Sequence, residues 1–432
     1  MEEIRMPVRN SPSIEHTLRP ISYVSWFMGV GIAHPLKCPK FVTIVIRIIH
    51  LVMCTVFLTI FIRKSVSALS MDSVIQFALI IDKTIDFVAA YYYIYHGIRQ
   101  YDTWPELMYK IKELDRKIRK ETHMNDRPVK VMEVVAILMT FVCLIPIVLY
   151  LYHFFYSNNR VMKSLPTYYM MARSTINSFF FGVVVYVLYY RYKMINKMLG
   201  HLDKLSDAPL IALKIRRIRE LHNDICDLVI VINNINSFYL LLFSANCFSI
   251  LTTTLYYGYI RFMNHMPLSV FIYCVTSLYT IQFGVICWVC KLACQEFEKT
   301  KTIMCAIALK CQFMKFDEPN DTRNQSSLEV RPPLESADGE QNFNWSNSYD
   351  WNYVVVEKLL RKILARDHVN NEINAFLIQL QHRRVSFTAC DFFEMNNNLF
   401  CGFVGIIVTY LIIFIQFYKS KQKQSATCTG NL

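Results

Sequence analysis

Twenty consecutive residues without a charge, Leu399 to Tyr418, end fourteen residues before the C-terminus. In an α-helix rising about 1.5 Å per residue, such a run spans about 30 Å, the thickness of a bilayer's hydrocarbon core. The stretch is expected to be a transmembrane helix. Within it Thr409, Ile413 and Gln416 fall at i, i+4 and i+7, on one helical face. An amide stranded in hydrocarbon is costly, so this face is expected to meet another helix or water. Gln416 is then either an interhelical hydrogen bond or the lining of a wet path.

The rest of the chain is consistent with a polytopic membrane protein. Of its 432 residues 54% are hydrophobic and 18% charged, too apolar for an ordinary soluble domain. Seven apolar segments can be drawn, at about 41–62, 73–95, 131–153, 166–190, 237–260, 268–290 and 399–418. Met1 to Lys40 holds Pro7, Pro12, Pro20 and Pro35 and no clean signal-peptide core, so insertion is expected to begin with the first of these helices. The net charge of +13 reads as loop charge, with no nucleic-acid partner implied. Lys and Arg number 35 in the N-terminal region and the second-to-third, fourth-to-fifth and sixth-to-seventh loops, against 8 in the other loops and the tail. The positive-inside rule then puts the N-terminus in the cytosol and the C-terminus outside. A G-protein-coupled receptor has the opposite orientation, and its Asp-Arg-Tyr-like triplet and seventh-helix proline are missing.

Enzyme motifs are absent as well: there is no His-Glu-x-x-His, no Gly-x-Ser-x-Gly and no glycine-rich phosphate loop. Cys287 and Cys290 have zinc or redox spacing but no nearby histidine, so no metal or cofactor is expected.

The cytosolic loops read as helical. Leu107, Ile111, Leu114 and Ile118 repeat at helical spacing among basic residues, which predicts an amphipathic extension of the second or third helix over Trp104 to Lys120. Asp317 to Asp350 is polar and proline-containing and reads as a disordered insertion, with sequons at Asn320, Asn324 and Asn344. Beyond it Ile373, Phe376/Leu377 and Leu380 return to helical spacing.

The string Thr409-Tyr410-Leu411-Ile412-Ile413-Phe414-Ile415-Gln416-Phe417 resembles the C-terminal signature of insect gustatory receptors. Phe387-Thr388-Ala389-Cys390, Phe392-Phe393-Glu394 and Leu221-His222-Asn223-Asp224-Ile225-Cys226-Asp227 are also similar to that family. The resemblance implies an all-α, seven-helix, tastant-gated cation channel in the plasma membrane. It also implies a homotetramer, with hetero-oligomers of related receptors as an alternative, whose permeants are monovalent and divalent cations. By the same resemblance Ile413 and Phe417 are the constriction and Gln416 lines the pore beside it. The domains follow: a cytosolic region 1–40, a ligand-binding six-helix bundle 41–290, a cytosolic anchor 291–398, the pore helix 399–418 and an extracellular tail 419–432.

Charges inside apolar segments are the remaining anomalies. Asp82, Lys83 and Asp86 sit in the second segment and Arg173 in the outer third of the fourth, where it is a candidate partner for Asp82. They are either structural ion pairs or the border of a wet pocket. Tyr150, Asn177, Tyr256, Thr276 and Tyr279 complete a candidate pocket on the outer side, although an interfacial aromatic belt also explains its tyrosines. Aromatic faces with carboxylates and amides suit a small polar tastant. The resemblance to the fructose-sensor subgroup makes a sugar the first expectation and a bitter compound the second. A solute transporter is the rival class, and the inverted repeats that would favour it are not seen.

Overall fold

The computed structural model describes residues 14–35, 38–68, 74–122, 124–125, 127–156, 165–202, 208–263, 270–313 and 367–429. Its helices are α1 (Ile14–Phe27), α2 (Lys40–Ala68), α3 (Val74–Arg99), α4 (Thr103–Glu121), α5 (Arg127–Tyr156), α6 (Leu165–Gly200), α7 (Ala208–Met263), α8 (Val270–Phe313), α9 (367–382) and α10 (Asn397–Thr429). A two-residue hairpin, β1 (Thr388–Ala389) and β2 (Phe393–Glu394), precedes α10. The predicted insertion 317–350 and its three sequons lie outside the described residues.

Five helices among the described residues are long and apolar enough to cross a membrane: α2, α6, α7, α8 and α10. The second and third expected segments fall on α3 and α5, helices of 26 and 30 residues. In α3 the charges Asp82, Lys83 and Asp86 interrupt the apolar run. At 56 and 44 residues α7 and α8 far exceed the roughly 20 that a bilayer needs. Likewise α10 continues through most of the expected tail, to Thr429.

Two compact units divide the chain. The first comprises Met1–Tyr192, Asp224–Glu296 and Val385–Leu432; the second comprises Lys193–Asn223 and Phe297–Arg384. In the first, α1 buries Ile14, Leu18 and Ile21 and packs against α5 and α4. The region before the first span is therefore partly a packed helix. Pro20 removes a donor from the α1 ladder, and the following Ile21 N–H bonds to Glu133 Oε1 of α5 at 3.4 Å. The stretch after α1 turns on Gly29 and Gly31, both at positive φ, where a side chain would be strained. The expected amphipathic stretch is α4, a separate helix after a turn at 100–102, and its Leu107, Ile111, Leu114 and Ile118 are all buried. On the same helix Asp115 accepts two hydrogen bonds from Arg191 of α6, at 2.6 and 2.9 Å, both side chains being buried. Sequence reasoning missed that pair, since 76 residues separate its members.

In the second unit Val369, Ile373, Phe376 and Leu380 of α9 are buried at the spacing expected. His222 is enclosed there between Phe297 and Phe376, at 5.3 and 5.4 Å between ring centroids. Arg219 pairs with Glu372 at 3.1 Å, and Thr300 donates to Asn196 Oδ1 at 2.7 Å.

Candidate functional site

One side of α10 lies on its own chain. Phe400 and Phe403 meet Phe283 of α8 at 6.2 and 4.2 Å. Tyr410 meets Phe248 of α7 at 5.5 Å, Phe414 meets Tyr256 at 5.1 Å, and Tyr418 meets Tyr259 at 6.4 Å. Positions three and four apart share a helical face, so these contacts define one stripe. The other side is bare. Gly402, Gly405, Thr409 and Gln416 are exposed there, and a Cβ added to either glycine would meet nothing within 4 Å. Ile413 and Phe417 are 37% and 60% exposed, and half-buried Leu411 belongs to the packed side.

The pocket candidates separate into three places. Asp82 and Asp86 of α3 are buried, and both carboxylates hold Lys83 of their own helix, at 3.2 and 2.8 Å. Ser249 of α7 lies against Asp82, and Tyr279 of α8 sits in the field of both carboxylates. Asp82 Oδ1 and the hydroxyls of Tyr93 and Tyr239 are buried without a partner, and the two tyrosine rings meet edge-on at 5.5 Å. A polar core therefore joins α3, α7 and α8.

Arg173 is elsewhere. Its guanidinium donates to Gly29 O at 3.1 Å and to Cys54 Sγ at 3.0 Å, so the expected Asp82–Arg173 pair does not form. The sequence placed both charges in apolar segments without showing that Lys83 and a loop carbonyl would satisfy them first. Asn177 also faces that loop: it lines a cavity of about 10 Å³ with Gly31, Trp104, Phe180 and Asn236, too small for an organic ligand.

The third place is the end of the α7–α8 pair. Thr276 lines a groove of about 340 Å³ with Leu255, Gly258, Tyr259 and Tyr273, and its hydroxyl is buried without a partner. That volume is in the range of small-molecule sites. Tyr256, 2% exposed, packs its ring against Phe414 of α10. The Tyr150 side chain lies outside the described ones. No cluster of three or more metal-ligating side chains occurs among the described residues; Cys287 and Cys290 are buried free thiols.

A model of the 7tm chemosensory receptor family matches residues 18–330 and 356–421. The chain belongs to this family. It is thus a receptor and not an enzyme. Two curated relatives come from Drosophila melanogaster: gustatory receptor 2a, 39% identical over 59 residues, and gustatory receptor 28b, 35% identical over 63 residues. The matched stretches are 14% and 15% of this receptor and 14% and 13% of those proteins, so it spans about a seventh of their length. Solved structures of the insect olfactory receptor OR5 from Machilis hrabei share the fold. The eugenol complex aligns with a TM-score of 0.52 at 11% identity over 93% of this receptor and 98% of OR5. The second OR5 structure aligns at 0.56 and 12% over 94% and 98%.

Proposed function

We propose that the receptor is a ligand-gated, non-selective cation channel of the plasma membrane, opened by a small polar tastant. The observation that carries this reading is the bare side of α10. A helix that leaves two glycines, a threonine and a glutamine uncovered by its own chain needs a wet or protein-lined surface there. Four copies arranged around that side would enclose a path ringed by Gln416 amides, with Ile413 and Phe417 as the apolar constriction beside them. Binding in the outer bundle would favour the open member of an existing closed-to-open equilibrium. The buried carboxylates and tyrosine hydroxyls of α3, α7 and α8 and the groove at Thr276 supply the polar and aromatic surface for it. A sugar is the first candidate and a bitter compound the second.

The orientation belongs to the same proposal. With the N-terminus cytosolic, Asn320, Asn324 and Asn344 carry no glycan, and glycosidase treatment leaves the protein's mass unchanged. Expression of the chain alone, with current recorded against a panel of sugars and bitter compounds, tests the function. Tastant-evoked cation current supports the channel reading; solute uptake without current overturns it in favour of a transporter.

A further inference from the structure

Among the described residues, two buried cations lie outside the proposed path and are not paired with a carboxylate. Arg47 of α2 and Arg173 of α6 are 0% and 1% exposed, and both guanidinia reach carbonyls of the same short turn, residues 29–31. Among the described residues neither has a carboxylate within ion-pair distance. Arg47 Nη2 donates to Val30 O at 3.2 Å and Gly31 O at 2.8 Å. Arg173 Nη2 donates to Gly29 O at 3.1 Å and its Nη1 to Cys54 Sγ at 3.0 Å, while its guanidinium lies 5.4 Å from the Tyr169 ring centre. Nε and Nη1 of Arg47 and Nε of Arg173 are buried with no acceptor. His50 adds no negative charge, being bonded to Phe27 O at 2.8 Å and to the Tyr169 hydroxyl.

The packing is built around this pair. Gly97 of α3 admits the guanidinium: a Cβ there would lie 2.7 Å from Arg47 Cζ and 2.6 Å from Gly31 O. The carbonyls after α1 offer only the partial negative charge of a helix C-terminus, about half a unit, against two full positive charges. Buried charge without a counter-charge is strongly disfavoured.

We propose that the Arg47–Arg173 pair binds a small inorganic anion, with chloride as the physiological occupant. The anion supplies the missing negative charge and accepts hydrogen bonds from the three orphaned guanidinium nitrogens, tying α2, α6 and the Gly29–Gly31 turn together. Because both arginines are closed off from the surface, a lipid phosphate or an organic acid does not fit.

Thermal unfolding of the purified full-length receptor in neutral detergent tests this, comparing sodium chloride with sodium gluconate at equal ionic strength. The midpoint should rise by several degrees in chloride and saturate with its concentration, with bromide replacing chloride. Arg47→Gln should lose this dependence, and Arg173→Lys, which keeps the charge but not the fork of donors, should need more chloride for saturation. Equal midpoints in chloride and gluconate for the wild type overturn the site. So does a chloride shift that persists unchanged in both variants, because the anion then acts elsewhere. If neither variant folds, ³⁵Cl line broadening by the wild-type receptor, relieved by iodide, decides, and absence of broadening refutes it.

Discussion

Helices α6 and α10 are both apolar enough to cross a membrane, yet 94% of the most apolar stretch of α6 is buried in the chain and 11% of that of α10. Their mean hydropathies run the opposite way, 1.4 for α6 and 2.4 for α10. The buried helix is the more polar one. It can be, because its neighbours answer it: Gln282 Nε2 of α8 donates to Thr175 Oγ1 at 2.6 Å, and Asp115 takes Arg191. A helix that faces lipid has no such partners and must be apolar throughout, save on a side that another copy or water will cover. By this rule α2, with a mean hydropathy of 2.4 and 17% burial, belongs with α10.

The largest test strikes the buried member. Arg191→Ala leaves the Asp115 carboxylate enclosed without its bidentate partner, which should cost about 3–5 kcal/mol of stability. The purified receptor should show a sharply lowered unfolding midpoint or no folded yield. Gln416→Ala, on the bare side of α10, should change the stability of the single chain by less than about 0.5 kcal/mol. Comparable losses for the two would erase the distinction between the helices.

A second test stays within α10. Ile407 is 6% exposed on the packed side and Ile412 is 50% exposed. Ile407→Ala should destabilise the folded chain by about 2–5 kcal/mol, whereas Ile412→Ala should cost well under half of that in thermal unfolding. If copies of the chain cover Ile412, its truncation should instead appear as dissociation of the oligomer in native mass measurements. No change in either readout would leave Ile412 facing lipid.

The sequence made one side of this contrast plain and hid the other. Leu399 to Tyr418 announced itself by lacking charge, and the amphipathic stripes of α4 and α9 follow directly from spacing. Arg173 was visible as an anomaly, but its destination was not. That destination depends on Gly29 adopting a positive φ and turning a carbonyl toward α6, a long-range result of packing. Arg47 carried the same signal, a lone charge in an apolar run, and the same rule would have marked it. Asp115 lies among the charges of an amphipathic helix, where spacing alone does not single it out, and only the folded register brings it to Arg191.

The third test concerns conduction. If Phe417 closes the path, Phe417→Ala should raise tastant-independent current about ten-fold, a shift of roughly 1.4 kcal/mol toward the open state. Gln416→Glu should raise the preference for divalent cations, read as a shift in reversal potential. Leu411→Ala, on the packed side, should do neither. If Leu411→Ala alone opened the channel, the conducting side of α10 would be the one now packed on α7 and α8.

The smallest effect tests the link between the two helices. Phe387, just before the hairpin, packs edge-on against Phe181 of α6 at 6.2 Å, so the hairpin is the strap from the buried helix to the bare one. Its three-residue connection, 390–392, has Cys390 and Asp391 at φ of 50° and 59°, with Phe392 N–H bonded to Ala389 O at 3.0 Å, and left-handed positions of this kind favour Gly and Asn. Left-handed backbone costs a cysteine more than an aspartate, whose carboxylate also accepts the Thr388 hydroxyl at 2.8 Å. Cys390→Gly should therefore stabilise the receptor by roughly 1 kcal/mol, while Asp391→Gly should gain little or lose, because it gives up that bond. Asn233 of α7 holds Thr388 from both sides, accepting its N–H at 2.8 Å and donating to its hydroxyl at 3.1 Å, so the relaxed turn should keep its place. If the turn transmits force to α10, Cys390→Gly should also lower tastant-evoked current while raising stability, since strain held in a coupling segment is released. Stabilisation with unchanged current would show the hairpin to be a tether only.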